Sequence, residues 1–131
     1  MFKVLKNRKG VTLVELLAVV VILGIIAAIA VPTIGGLIAR QQANADEATY
    51  NAIVDAAELY GGTAVFTLDD LESDDFIDLK DNTFSLDGED NVAKTAVYIK
   101  ITGGVVGFYS DALAATATDL YVNDTLVHEA P

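Results

Sequence analysis

The stretch KGVTLVELLAVVVILGIIAAIAVP, residues 9–32, decides the fold of this chain. It joins a basic residue, one isolated acid at Glu15 and a long apolar run, in that order. Between Glu15 and Arg40 lie 24 residues without a charge, and as an α-helix they span about 36 Å at about 1.5 Å per residue. Because a hydrocarbon core is about 30 Å thick, the stretch predicts one membrane-spanning helix.

Glu15 is unusual in such a helix, because an ionisable group in a bilayer costs about 3 kcal/mol even on the mildest scale. It lies on the apolar side of a basic cluster formed by Lys3, Lys6, Arg8 and Lys9. Such a carboxylate either has a partner or lies at the level of the lipid headgroups. A chain cut after Gly10 would give Val11 a free amine four residues from Glu15.

These residues resemble the amino-terminal region of bacterial type IV prepilins and pseudopilins. The resemblance covers residues 8–42 and rests on Lys9-Gly10, on VTLVE at residues 11–15 and on the apolar run to Pro32. It implies cleavage between Gly10 and Val11 by a prepilin peptidase and N-methylation of Val11. One departure is Val11 itself, where the family most often has Phe or Met.

The resemblance further implies assembly into a homo-oligomeric helical filament by a platform and ATPase machinery, with Glu15, Gly24 and Pro32 as assembly residues. Glycine and proline both weaken a helix, so local bending or unwinding is expected between Gly24 and Pro32. In related filaments this part of the helix is melted, and the resemblance implies the same here. An ordinary kinked membrane helix is the alternative for the isolated subunit.

The charge and composition narrow the function classes. The formal charge of −11 becomes −15 without residues 1–10, because they hold four of the eight basic residues and no acid. So acidic a surface repels phosphate backbones, and no direct binding of nucleic acid is expected. The chain has no cysteine, which excludes disulfides and thiol catalysis. In this respect it resembles the cysteine-free pilins of Gram-positive bacteria.

The basic residues also predict the orientation. Positive charge before an apolar span favours the cytoplasmic side, so the rest of the chain is expected outside the cytoplasm. We therefore divide the chain into a cleaved basic leader (1–10), a hydrophobic membrane and filament-core helix (11–39), and the second half of the helix with a globular head (40–131). The expected location is the cytoplasmic membrane before assembly and a surface pilus afterwards.

The predicted head is of the α+β class. The helix is expected from about residue 11 to Tyr60, ending at Gly61-Gly62. Alternating residues 97–102, Gly103-Gly104 and residues 105–109 predict one hairpin. Residues 120–122 and 125–127 around Asn123-Asp124 predict another. Together they predict one antiparallel sheet of three or four strands, packed on the helix face Tyr50, Ile53, Val54 and Ala57.

Residues 63–91 are expected to form a loop region with a short helical turn near residues 69–73. Ten acids and one lysine lie between Asp69 and Asp90. The spacing lacks the alternating ligands and central glycine of an EF-hand, so a solvated acidic face is the prediction, with no metal site. His128, the one histidine, is expected to be exposed and unimportant. With neither paired catalytic groups nor a phosphate-binding loop, the sequence indicates a non-enzyme without cofactors.

Three functions stay open at this point. The first is a structural subunit of a type IV pilus, and the second is a pseudopilin of a type II secretion or DNA-uptake machine. The third, outside the family, is a single-pass membrane-anchored extracytoplasmic binding domain, which would keep residues 1–10 and stay monomeric. The sequence does not separate adhesion, motility and DNA uptake.

Overall fold

The computed structural model describes residues 2–131, with side chains from Val11 onward. The chain divides into two compact units, Met1–Gln41 and Gln42–Pro131. One helix, α1 (Phe2–Tyr60), supplies nearly all of the first unit and the start of the second. Gly10 and the basic leader lie outside the residues whose side chains are described.

The first part of α1 has no apolar partner among the described residues. Every Val, Leu and Ile between Val11 and Ile38 is 52–70% exposed. Within the described chain, one helix is long and apolar enough to cross a membrane by length and composition. Side chains this apolar need lipid or other helices around them.

Helix α1 runs through Gly24 and Pro32 without interruption. Proline removes one backbone hydrogen bond, and the hydroxyl of Thr33 donates to the carbonyl oxygens of Ile29 and Ala30 at 2.7 and 3.0 Å. Both oxygens belong to the turn that precedes the proline, whereas the carbonyl that Pro32 leaves without its N–H donor is that of Ala28. Unwinding between Gly24 and Pro32 therefore stays a prediction for the assembled filament.

The carboxyl end of α1 lies where the sequence predicts it. The helix ends at Tyr60, and Gly61 adopts φ 67° while its N–H donates to the carbonyl of Ala57 at 3.1 Å. A left-handed residue with such a bond is a common helix stop, and glycine adopts it without strain.

Six short strands follow α1 in two antiparallel sheets of three. The first sheet has the order β1 (Phe66–Thr67), β3 (Tyr98–Thr102), β4 (Val105–Tyr109), and the second has β2 (Phe84–Leu86), β5 (Leu120–Val122), β6 (Thr125–His128). A six-residue helix, α2 (Leu68–Ser73), follows β1, and a 3₁₀ turn (Lys94–Ala96) precedes β3.

The α+β class is confirmed, as are both hairpins, whose turn residues have positive φ: Gly103, Gly104, Asn123 and Asp124. The expectation of a single sheet needs correction. Residues 63–91, predicted to be a loop region, also contribute one strand to each sheet: β1 pairs with the first hairpin and β2 with the second. Two isolated bridges lie beside the ladders among the described residues, Phe84 with Val92 and Tyr109 with Ala117.

The core of the second unit forms on the predicted face of α1. Ile53 and Ala57 are fully buried, and Tyr50 and Val54 pack against the same cluster. Both sheets and α2 supply the other side of this core, whose largest fully buried members are Leu68, Leu71, Leu79, Phe84, Ile99, Phe108 and Leu120. The pattern of four apolar residues on α1 thus predicts the correct packing face.

Candidate assembly site

The amino-terminal part of α1 carries the residues that the sequence singles out. Glu15 is exposed, and it has no hydrogen bond or ion pair among the described residues. Its neighbours Leu13, Leu16 and Leu17 are 61–70% exposed. The structure therefore presents one carboxylate on an apolar surface, one helical turn after Val11.

The single chain does not bring the predicted assembly residues together. Val11 and Glu15 are a turn apart on the helix, whereas Gly24 and Pro32 follow at about 13 and 25 Å along the axis from Glu15, taking about 1.5 Å per residue. Nothing in the described chain lies within 4 Å of a Cβ built on Gly24. A joint role for these residues therefore requires contacts outside one chain.

Charge is also distributed unevenly along α1. From Val11 to Tyr60 the helix holds Glu15, Asp46, Glu47, Asp55 and Glu58, and Arg40 is its one basic residue. Arg40 is exposed and makes no ion pair within the described part of the chain. From Val11 onward, the basic residue of the helix nearest to Glu15 is therefore Arg40, 25 residues away.

The head contains a buried carboxylate that the sequence analysis missed. Asp46 is 1% exposed. Its Oδ1 accepts from the side-chain amides of Gln42 and Asn123 at 3.0 and 2.8 Å, and its Oδ2 accepts from the Thr125 hydroxyl at 2.7 Å. These neutral donors connect α1 to the turn between β5 and β6.

Asn123, one of the partners of Asp46, makes further hydrogen bonds of its own. The Asn123 amide nitrogen also donates to the Asn82 side chain at 3.0 Å, while its oxygen accepts from the Thr83 N–H at 3.0 Å. The sequence does contain a signal for the burial of Asp46, because Asp46 precedes Tyr50 by four residues and Ile53 by seven. That spacing places it on the buried face of the helix.

His128 was expected to be exposed, and that prediction is wrong. Its Nδ1 lies 3.0 Å from the Tyr50 hydroxyl, its ring stacks on Tyr50 with centroids 5.7 Å apart, and it meets Phe108 edge-on at 5.2 Å. Its Nε2 is buried and has no partner in the described chain. This burial lowers the pKa of His128, and the nearby Asp119 carboxylate opposes the shift.

A bulge explains the error. Leu120 pairs with His128 but Tyr121 pairs with Leu126, so Val127 is an extra residue in β6. An extra residue reverses the alternation of side chains beyond it. Leu126 therefore stays 45% exposed while His128 turns toward the core.

The acidic segment, residues 69–90, agrees with the prediction of a solvated acidic face. Eight of its ten acids are exposed, and no group of three potential metal ligands occurs among the residues described. Glu72, which is partly buried, is held by Lys94 at 2.7 Å and by the Leu79 N–H, and both contacts lower its pKa. Its role here is to join α2 to the turn before β3.

Comparison with known proteins gives one match. Residues 5–31 match the model of the prokaryotic N-terminal methylation motif. No curated protein and no solved structure matches the chain. The motif covers the segment in which Gly10, Val11 and Glu15 lie, and the head is left without a recognised relative.

Proposed function

We propose that this type IV prepilin-like protein is a structural subunit of a type IV pilus. In this proposal it is inserted in the cytoplasmic membrane, cleaved after Gly10, methylated at Val11 and polymerised through its hydrophobic helix. The observation that carries the proposal is Glu15, which has no partner among the described residues and lies on an exposed apolar helix segment inside a methylation motif. The motif favours a structural role over an enzymatic one.

The exposed helix requires two successive environments. Before assembly, the apolar side chains of residues 11–39 are covered by lipid, which matches the length of the span. In a filament, the same side chains would be covered by the helices of neighbouring copies. Transfer from lipid to a protein core keeps their apolar surface buried throughout.

The charge pattern favours contacts between copies. A buried carboxylate left without a partner costs about 3–5 kcal/mol. No lysine or arginine lies between Val11 and Ala39, so the amine of Val11 is the available cation once residues 1–10 are removed. If that amine belongs to a neighbouring copy, the contact fixes the axial position of each incoming subunit.

The partners and location follow from this scheme. They are a prepilin peptidase, an assembly platform with its ATPase, and further copies of this chain. The basic leader holds the amino terminus in the cytoplasm, and the head lies outside the membrane, at the cell surface after assembly. The same amino-terminal features support a pseudopilin, which would form a short filament confined to the envelope.

The experiment is the intact mass of the protein taken from sheared surface filaments and from membranes. We expect the filament form to lack residues 1–10 and to carry one added methyl group on Val11. Filaments that retain residues 1–10 would refute the proposal and favour the anchored monomeric domain. A processed chain that never leaves the envelope would favour the pseudopilin.

A further inference from the structure

A groove lies beside α1 in the head. It has a volume of about 380 Å³ and is lined by Glu47, Tyr50 and Asn51 of α1 and by residues 125–127 of β6. We call it the α1–β6 groove. Strand β6 is the outer strand of its sheet, so one side of its backbone has no strand partner in the described chain.

The α1–β6 groove is negatively charged. Glu47 is exposed and makes no ion pair within the described residues. Asp46, beside it on the helix, is buried among neutral donors, so its charge is uncompensated as well. Carboxylate, carboxamide and backbone carbonyl groups are acceptors, and together they suit a cation with several N–H donors.

Four cations follow Gly10 in the chain: Arg40, Lys80, Lys94 and Lys100. Lys94 is held by Glu72 at 2.7 Å, and Lys80 lies 3.6 Å from Asp78. Lys100 also makes no ion pair within the described residues, but it lies in the middle of β3, opposite Gly107, and is half-buried. Arg40 is exposed on α1 and has no ion-pair partner within the described part of the chain, which leaves it as the cation best placed to pair with another molecule.

We infer that Arg40 of one copy binds in the α1–β6 groove of a neighbouring copy, against Glu47. This inference rests on the proposed assembly into a filament. Within one chain the two residues are seven positions apart, about 10.5 Å along the helix at about 1.5 Å per residue. No ion pair forms between them in the described chain.

The direction of the contact agrees with the one proposed at the amino terminus. In both pairs the acid follows the cation along the helix, by four residues from Val11 to Glu15 and by seven from Arg40 to Glu47. Side-by-side copies would therefore be displaced in the same sense, by about 6 Å for the first pair and about 10.5 Å for the second. The difference of about 4.5 Å is within reach of the long, flexible arginine side chain.

A charge swap in the full-length chain tests the inference. Arg40→Glu and Glu47→Arg alone should each lower the number of surface filaments about tenfold or more, because like charges then face each other across the contact. The double variant Arg40→Glu with Glu47→Arg should restore most filaments. Membrane insertion and cleavage after Gly10 should stay unchanged in all three.

The matched control pairs Arg40→Glu with Glu58→Arg. Glu58 is also an exposed acid on α1, but it is 18 residues from Arg40, about 27 Å along the helix. This double variant is not expected to restore the number of filaments. Equal rescue by both double variants would mean that net charge, and not this contact, controls assembly, and would overturn the inference.

Crosslinking provides a second measurement, since the chain has no cysteine of its own. Arg40→Cys and Glu47→Cys are placed on separate co-expressed chains, and filaments are treated with a short bismaleimide. A covalent dimer joining the two kinds of chain is expected, and a dimer should be absent when Glu58→Cys replaces Glu47→Cys. Filaments of normal number from Arg40→Glu, or filaments of the cysteine variants that give no crosslinked dimer, would overturn the contact. Wild-type chains that form no filament would overturn the proposed function itself.

Discussion

The two parts of helix α1 differ in whether the chain itself covers their apolar side chains and pairs their acids. Residues 11–38 present every large aliphatic side chain to the outside, and the one acid near their start has no described partner. In residues 42–60 one face of the helix is covered by the head: Ile53 and Ala57 are fully buried there, and the acid on that face, Asp46, accepts three hydrogen bonds.

This difference shows which contacts stabilise each part of the helix. The carboxyl-terminal part is stabilised within the chain by the head, so changes there should affect folding first. The amino-terminal part buries no large apolar side chain within the described chain, so under the proposed function changes there should affect assembly while the head stays folded. Four predictions test this division.

The largest effect is expected from Glu15→Ala. Cleavage after Gly10, membrane insertion and the fold of the head should be unchanged, yet filaments should be abolished or strongly reduced, because the amine of Val11 loses its carboxylate. Glu15→Asp, shorter by one methylene group, should be partly defective. Filaments are counted by electron microscopy at equal expression.

The control for Glu15 is Asp55→Ala, which removes an exposed acid from the head-bound part of the same helix. It should leave filament number near wild type. If Glu15→Ala gives filaments of normal number and length, Glu15 is not an assembly contact and the comparison loses its main support.

A fragment of residues 40–131 should be soluble, monomeric and folded. It omits the exposed apolar side chains of residues 11–38 and keeps every residue of the buried cluster. Circular dichroism and size-exclusion chromatography measure the result. An insoluble or unfolded fragment would show that the head depends on the first part of the helix, and that the two parts are not independent.

Local signals were enough to predict several features of the fold. Gly61 marks the end of the helix, and Gly103-Gly104 and Asn123-Asp124 mark the hairpin turns, because each of these positions needs a backbone conformation that few residues adopt easily. The spacing of Ile53 and Ala57 likewise indicates the buried face. The motif at residues 11–15 was sufficient to find the candidate site.

Features that depend on distant partners were missed. Strands β1 and β2 have two and three residues, and they exist only because Phe66 pairs with Ile99 and Phe84 with Val122. No periodicity is measurable in segments so short. The burial of His128 depends on a bulge between β5 and β6, which the sequence of β6 alone does not encode.

Asp46→Ala should destabilise the head without affecting processing. The change leaves the partly buried hydroxyl of Thr125 without its acceptor and removes one of the two acceptors of the Asn123 amide, which keeps its bond to Asn82. Such a loss costs about 1–3 kcal/mol. Urea denaturation of the 40–131 fragment measures it. Asp55→Ala is the matched control, since its acid is exposed, and it should change the midpoint little; equal losses in both would contradict the role of the Asp46 network.

The smallest effect is a pH dependence that arises from His128. Its pKa in the folded head lies below the ordinary value, because burial disfavours the charged ring. As the pH falls below about 6.5, the unfolded chain therefore binds a proton before the folded chain does, and the free energy of unfolding decreases. The slope is at most about 1.4 kcal/mol for each pH unit, and it ends once the pH is below the pKa of the folded state.

Two variants separate this titration from that of the carboxylates. Glu72, whose pKa is lowered chiefly by its bond to Lys94, stabilises the head above its ordinary pKa of 4.5 and loses that contribution only as the pH falls further. Urea midpoints of the fragment between pH 8 and pH 5 should therefore fall in wild type and in Glu72→Gln, and should stay nearly level in His128→Gln. A His128→Gln fragment that keeps the wild-type slope would show that another group titrates, and that the slot between Tyr50 and Phe108 accepts a charged ring at no cost.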